Sequence, residues 1–249
     1  MINFERIARH SMETDPFRWA AIDELFSPGD ADALAATFPC DHFKLVTGYG
    51  GEKDYEYEAR ADRYGIGRNL IQGRTERRMA GAGSRSAISG LSRRLVRVDR
   101  MRFDASPMEA NVFHYGPGAS LGPHPDLADK IVTHVLYFNQ TWNREDGGCL
   151  SILRSADPSD IVAQIAPLVG NSAALVRSEN SWHAVSRVVN ERCPSRRSMT
   201  VTFYREGSVS TMWPPGDTTP LHSYRADDLK IGRRNPWARL LKKLSSWKR

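Results

Sequence analysis

His114-Tyr115-Gly116-Pro117-Gly118-Ala119-Ser120-Leu121-Gly122-Pro123-His124-Pro125-Asp126 decides how the rest of the chain is read. A β-prone run from Asn111 to Tyr115 enters a turn at Gly116-Pro117-Gly118, and the chain then reaches the triplet His124-Pro125-Asp126. In an extended segment residues i and i+2 project from one face, so a single metal ion can meet both His124 and Asp126. An H-x-D triplet alone is more often a surface or hydrogen-bonded pair than a ligand pair, so its meaning depends on its surroundings.

Working outward, short β-prone runs recur at Ile131 to Asn139, Cys149 to Leu153, Ala173 to Arg177 and Met199 to Arg205. Turn chemistry separates them, from Asn143 to Gly148 and at Gly170-Asn171, and no repeat of fixed period appears. The pattern predicts an all-β sandwich or small barrel. A third ligand has to come from elsewhere in the chain. His183, 57 residues beyond Asp126 and beside another β-prone run, is the best candidate. Two histidines and one carboxylate on one face leave three positions open on an octahedral iron(II), room for a bidentate keto acid and O2. His114, His134 and His222 lack such company and read as structural or surface residues.

Towards the N-terminus, Phe17, Ala20, Ala21 and Leu25 recur at helical spacing and predict a helix. Ser27-Pro28 offers an N-cap and first-turn proline for a second helix over Asp30 to Phe38, ended by Pro39. From Val46 to about Arg85 the chain is rich in Gly, Tyr and charge and reads as loops and short helices, either a lid or a solvated insertion. At 249 residues the whole suits one enlarged β domain. No apolar run approaches the roughly 20 residues needed to span a bilayer. The first 25 residues lack the apolar middle of a secretory signal. Cys40, Cys149 and Cys193 are odd in number and widely spaced, which reads as reduced thiols in the cytoplasm.

The net charge of +6 belongs to a tail. Residues 225–249 hold nine Lys or Arg against two Asp, leaving 26 basic and 27 acidic side chains in the preceding 224 residues. Within that tail Asn235-Pro236 reads as a helix start, and Trp237, Leu240, Leu241, Leu244 and Trp247 share one face opposite Arg239, Lys242, Lys243 and Lys248. Such a helix either docks on its own barrel or lies on an anionic membrane or acidic partner.

The stretch from His114 to Asp126 resembles the tyrosine, turn and H-x-D entry of the iron(II)/2-oxoglutarate-dependent oxygenase superfamily, in its prolyl-4-hydroxylase-like branch. Thr133 to Asn139 followed by Gly147-Gly148-Cys149-Leu150 resembles the strand and Gly-Gly step that come next there. Val169 to Val176 resembles the strand before the distal ligand, and His183-Ala184-Val185 the distal histidine motif. The resemblance spans about residues 105–206, with a looser match over Asp23 to Pro39. It implies a double-stranded β-helix, a jelly-roll barrel with the metal in its mouth, as core of a single domain over 1–224 whose residues 1–104 supply helices and loops.

It also implies iron(II) held by His124, Asp126 and His183, with 2-oxoglutarate and O2 as co-substrates. The family's R-x-S pair maps onto Arg196 and Ser198, which would bind the far carboxylate of 2-oxoglutarate. Strand alternation independently sets those two on one face and Arg197 on the other. A guanidinium suits a carboxylate because its planar fork donates two parallel hydrogen bonds. Arg196 follows His183 by thirteen residues, a slightly longer gap than the family's, so Arg192 stays a competitor. Tyr115 matches a tyrosine that donates to the same carboxylate, or else is a packed core aromatic.

The implied reaction is hydroxylation of an unactivated C–H bond of a small molecule or biosynthetic intermediate, with release of succinate and CO2. Asp126 favours this over halogenation, in which a small residue replaces the carboxylate. An alternative, demethylation of alkylated nucleic acid, calls for a second arginine where this chain has Thr202, and the body lacks surplus positive charge for a phosphate backbone. A non-catalytic barrel that only binds would have lost a ligand or the arginine, and this chain keeps them all. Substrate choice would fall to the insertion and to the segment from Ser208 to Tyr224, with Trp213, Pro214 and Pro215 as a wall.

Overall fold

The computed structural model describes residues 2–41, 43–48, 54–61, 108–189 and 195–208. The expected tail helix, Trp213-Pro214-Pro215, Arg192, Cys193, His222 and most of the insertion lie outside the described residues.

Among the described residues two helices, α1 (Phe4–Arg9) and α2 (Pro28–Ala36), accompany eleven strands. The strands are β1 (Trp19–Ile22), β2 (Lys44–Gly48), β3 (Tyr55–Ala61), β4 (Met108–Tyr115), β5 (Ser120–His124) and β6 (Lys130–Tyr137), then β7 (Leu150–Leu153), β8 (Ile161–Ile165), β9 (Ser172–Val176), β10 (His183–Val185) and β11 (Arg196–Tyr204). Every named strand pair is antiparallel. The order across the sheet is β1-β9-β6-β11-β4-β3-β5-β10-β7-β8, with β2 paired to β3. That sheet curls into a nearly closed barrel, the double-stranded β-helix expected.

Alternation along each strand divides the apolar residues between two clusters. Inside the barrel stand Phe113, Tyr115, Val135, Tyr137, Leu150, Ile152, Leu175 and Val185, drawn from facing strands. On the outer face Val112, Val132, Leu136, Met199, Val201 and Phe203 pack against Phe26 and Phe38, from either end of the α2 segment, and against Phe43. The sheet is thus covered on both sides.

Double coverage explains the differences from expectation. The segment read as a helix through Phe17 and Leu25 is strand β1, buried on both faces, and a short apolar run of that kind has no alternation to separate it from a helix. Its Trp19↔Leu175 and Ala21↔Ala173 pairs close one flank of β9. The described part of the insertion forms strands β2 and β3 rather than loops and short helices. In β3 the chain alternates Tyr55, Tyr57 and Ala59 with Glu56, Glu58 and Arg60, a period-2 signal masked by its polar composition. By joining β4 to β5, β3 carries the barrel into residues that precede 105. Helix α2 does start at Ser27-Pro28: the Ser27 Oγ accepts from the Asp30 N–H, and the helix ends at Ala36, two residues earlier than expected.

Candidate metal centre and co-substrate pocket

β10 is three residues long, yet it lies between β5 and β7 and brings His183 directly opposite His124. Directly opposed residues in an antiparallel pair project from the same face as close neighbours. The two imidazole centroids are 4.4 Å apart. Asp126, just past the end of β5, completes the group: one ligand atom from each of His124, Asp126 and His183 lies within 4.8 Å of the others, and all three residues are buried.

Local contacts aim each of them. The His124 Nδ1–H donates to the Gly122 carbonyl at 2.9 Å and the His183 Nδ1–H to the Ser181 carbonyl at 2.8 Å, which leaves both Nε2 lone pairs for a metal. The Lys130 ammonium donates to Asp126 Oδ1 at 2.6 Å and the Thr133 hydroxyl to Oδ2 at 2.7 Å. Burial alone would raise the Asp126 carboxyl, but the Lys130 ammonium and the neighbouring histidines hold it below the usual carboxylate range. Two neutral imidazoles and an ionised carboxylate are a donor set suited to iron(II). Sequence reading missed Lys130 and Thr133, although Lys130 stands four residues after Asp126 and Thr133 opens the inward alternation of β6.

β11 runs between β4 and β6, with Arg196 opposite Tyr115 and Ser198 opposite both Phe113 and Tyr137. Arg196 and Ser198 point into the barrel. The Arg196 guanidinium carbon sits 4.7 Å from the Tyr115 ring centroid and 5.2 Å from that of Tyr137, and its Nη1 donates to the Ser198 Oγ at 2.8 Å. Arg196 is 2% exposed, forms no ion pair among the described residues, and keeps its Nε–H without a partner. The Tyr137 hydroxyl is equally buried and has no hydrogen-bond partner of ordinary geometry among the described residues. Burial pushes the Tyr115 and Tyr137 hydroxyls up to about 12 against the opposing pull of Arg196, so both stay neutral donors near neutral pH. A buried cation beside an unpaired donor is costly unless an anion completes it. Tyr137 was not singled out from sequence, though it faces inward from the same strand as Thr133.

Arg197 is on the opposite face, as alternation requires, donating to the Ala35 carbonyl at 3.3 Å and lying over Phe38. His114 and His134 are both on outer faces and both buried. Gly147 and Gly148, at φ 70° and 68°, end the short 3-10 turn Arg144–Asp146. A Cβ on Gly147 would stand 1.9 Å from the Arg187 carbonyl oxygen, and one on Gly148 would press on Trp142, Val188 and the Arg196 side chain. The Gly-Gly step therefore lets the chain pass behind Arg196.

Residues 110–204 match the 2OG-Fe(II) oxygenase superfamily. Among solved structures, a Pseudomonas putida prolyl-4-hydroxylase aligns at 20% identity over 81% of this chain and 96% of its own, with a TM-score of 0.53. A prolyl hydroxylase from Trichoplax adhaerens, solved with a peptide fragment of the hypoxia inducible factor oxygen degradation domain, aligns at 13% identity over 81% and 88%, also at 0.53. A Phytophthora capsici prolyl 4-hydroxylase aligns at 17% identity over 82% and 66%, at 0.51. At such identities the likeness is one of fold. No protein of curated function matches the sequence. Residues 110–204 thus carry both the match to the 2OG-Fe(II) oxygenase superfamily and the His124, Asp126 and His183 group that could hold iron.

Proposed function

We propose that this chain is an iron(II)- and 2-oxoglutarate-dependent dioxygenase that hydroxylates an unactivated C–H bond of a small molecule or biosynthetic intermediate, one atom of O2 entering the product and the other the carboxylate of succinate, with loss of CO2 from the keto acid. His124, Asp126 and His183 would hold iron(II), and Arg196, Ser198 and Tyr115, joined by Tyr137, would hold the far carboxylate. When bound, iron(II) supplies the redox chemistry that couples reduction of O2 to decarboxylation. The chain's own residues bind and orient: the two Nδ1–H bonds fix the imidazole tautomers, Thr133 and Lys130 fix the carboxylate, and the barrel wall keeps water from the co-substrate.

The observation that carries the reading is the Arg196 guanidinium, buried without an ion pair among the described residues, inside the same barrel as the His124, Asp126 and His183 group. Asp126 supports hydroxylation over halogenation because it is a carboxylate. Thr202 stands on the inner face of β11, opposite Thr133 and Glu109, where nucleic-acid demethylation would call for the second arginine. The test is an anaerobic titration with iron(II) and then 2-oxoglutarate, followed by a small-molecule screen for substrate-dependent succinate. A visible charge-transfer band in the wild type that disappears in Asp126→Ala is expected. A wild type without the band would overturn the reading.

A further inference from the structure

We propose that Asn139, together with Ser195 and His114, is a positioning group that decides which of two adjacent arginines enters the barrel; the inference rests on Arg196 being the carboxylate anchor. Arg196 and Arg197 are consecutive, and a slip of one residue in β11 would exchange their faces, sending Arg197 inward. Neither arginine's own chemistry prevents this. The backbone around Arg196 has to be held from outside the strand.

Asn139, 3% exposed and two residues after Tyr137, spans that backbone. Its Nδ2 donates to the Ser195 carbonyl at 2.7 Å and its Oδ1 accepts from the Arg197 N–H at 2.8 Å, one contact on each side of Arg196. Its main chain is fixed in turn, donating to the Pro167 carbonyl at 3.2 Å and accepting from the Val169 N–H at 2.8 Å. The carboxamide is therefore a rigid gauge for the register of β11.

Ser195 is the second element. It is fully buried and has a φ of 152°, a conformation side chains rarely adopt, so the surrounding contacts must impose it. The His114 Nε2–H donates to the Pro39 carbonyl at 2.8 Å, which leaves Nδ1 to accept the Ser195 hydroxyl at 2.6 Å. His114 stands opposite Arg197 on the outer face of β4. His114 on β4 and Asn139 just past the end of β6 thus each pin the residue before Arg196, one through its side chain and one through its carbonyl.

The experiment compares anaerobic dissociation constants for 2-oxoglutarate and for pyruvate, a keto acid without the far carboxylate, on the full chain loaded with iron(II). Asn139→Ala is expected to weaken 2-oxoglutarate about tenfold, the scale of losing the hydrogen bonds that place a charged group, while pyruvate stays within about twofold. Ser195→Ala, a smaller change, is expected to move the ratio the same way by about threefold, and it serves if Asn139→Ala does not fold. Val201→Ala, on the outer face of the same strand, controls for lost stability and should leave the ratio unchanged. An unchanged ratio in Asn139→Ala and Ser195→Ala, with Arg196→Ala still selective against 2-oxoglutarate, would overturn the proposal alone. A ratio unchanged in Arg196→Ala would remove the anchor assignment itself, and the proposal with it.

Discussion

At the candidate metal centre the groups that orient His124, Asp126 and His183 lie within seven residues of them: Gly122 for His124, Ser181 for His183, Lys130 and Thr133 for Asp126. At the Arg196 end the groups that orient the strand come from far along the chain. Asn139 is 56 residues from Ser195, His114 is 81, and Ala35 is 162 from Arg197. One end is built by turns and strand ends, the other by the packing of β4, β6 and the α2 segment around β11. A local site survives changes elsewhere in the barrel, whereas a remote one depends on the register of the whole sheet.

The sharpest way to break this comparison is at the ligands. His183→Ala or Asp126→Ala is expected to abolish both iron(II) binding and succinate formation. Retained turnover in both variants would remove the metal assignment. Next, Arg196→Ala should raise the 2-oxoglutarate dissociation constant by about a hundredfold, the scale of two charge-assisted hydrogen bonds, without changing iron(II) affinity. Arg197→Ala should leave the constant far less affected, and the reverse order would move the anchor.

A smaller effect is expected from Thr133→Val, which keeps the shape and removes the hydroxyl from Asp126 Oδ2. Calorimetric titration should show iron(II) bound about tenfold more weakly, as for other lost partners of metal-bound carboxylates, with pyruvate and 2-oxoglutarate weakened alike. Selective loss of 2-oxoglutarate would show that the two ends are not independent.

The smallest effect concerns pH and the outer layer. Burial lowers the His114 imidazole to about 3, against the opposing bond to Pro39, and the His134 imidazole to about 4, from 6.5. Both are neutral when folded, so the unfolded chain binds more protons below pH 6.5. Stability from these groups is complete above that value and falls as pH drops towards 4 and then 3, by at most about 1.4 kcal/mol per group per pH unit. The metal-free protein should therefore melt lower at pH 5 than at pH 7. His134→Phe should flatten that slope, since neither nitrogen of His134 has a hydrogen-bond partner to lose. An unchanged slope would mean that His134 is not buried in its neutral form.

Sequence alone determined whatever the covalent backbone or a short local motif dictates. His124 and Asp126 share a face because i and i+2 do so in any extended segment, and Arg196 and Ser198 do so for the same reason. Ser27-Pro28 starts a helix through its own hydroxyl and ring, and the β-prone runs became β4, β6, β7, β9 and β11. Tertiary structure decided what depends on which strands are neighbours. It put His183 across from His124, placed Tyr137 beside Arg196, turned the Phe17 to Leu25 segment into β1, and set Asn139 behind Arg196. None of these is visible in spacing, because a strand's partners are selected by burial on both faces of the sheet and by hydrogen bonds between residues far apart in the chain.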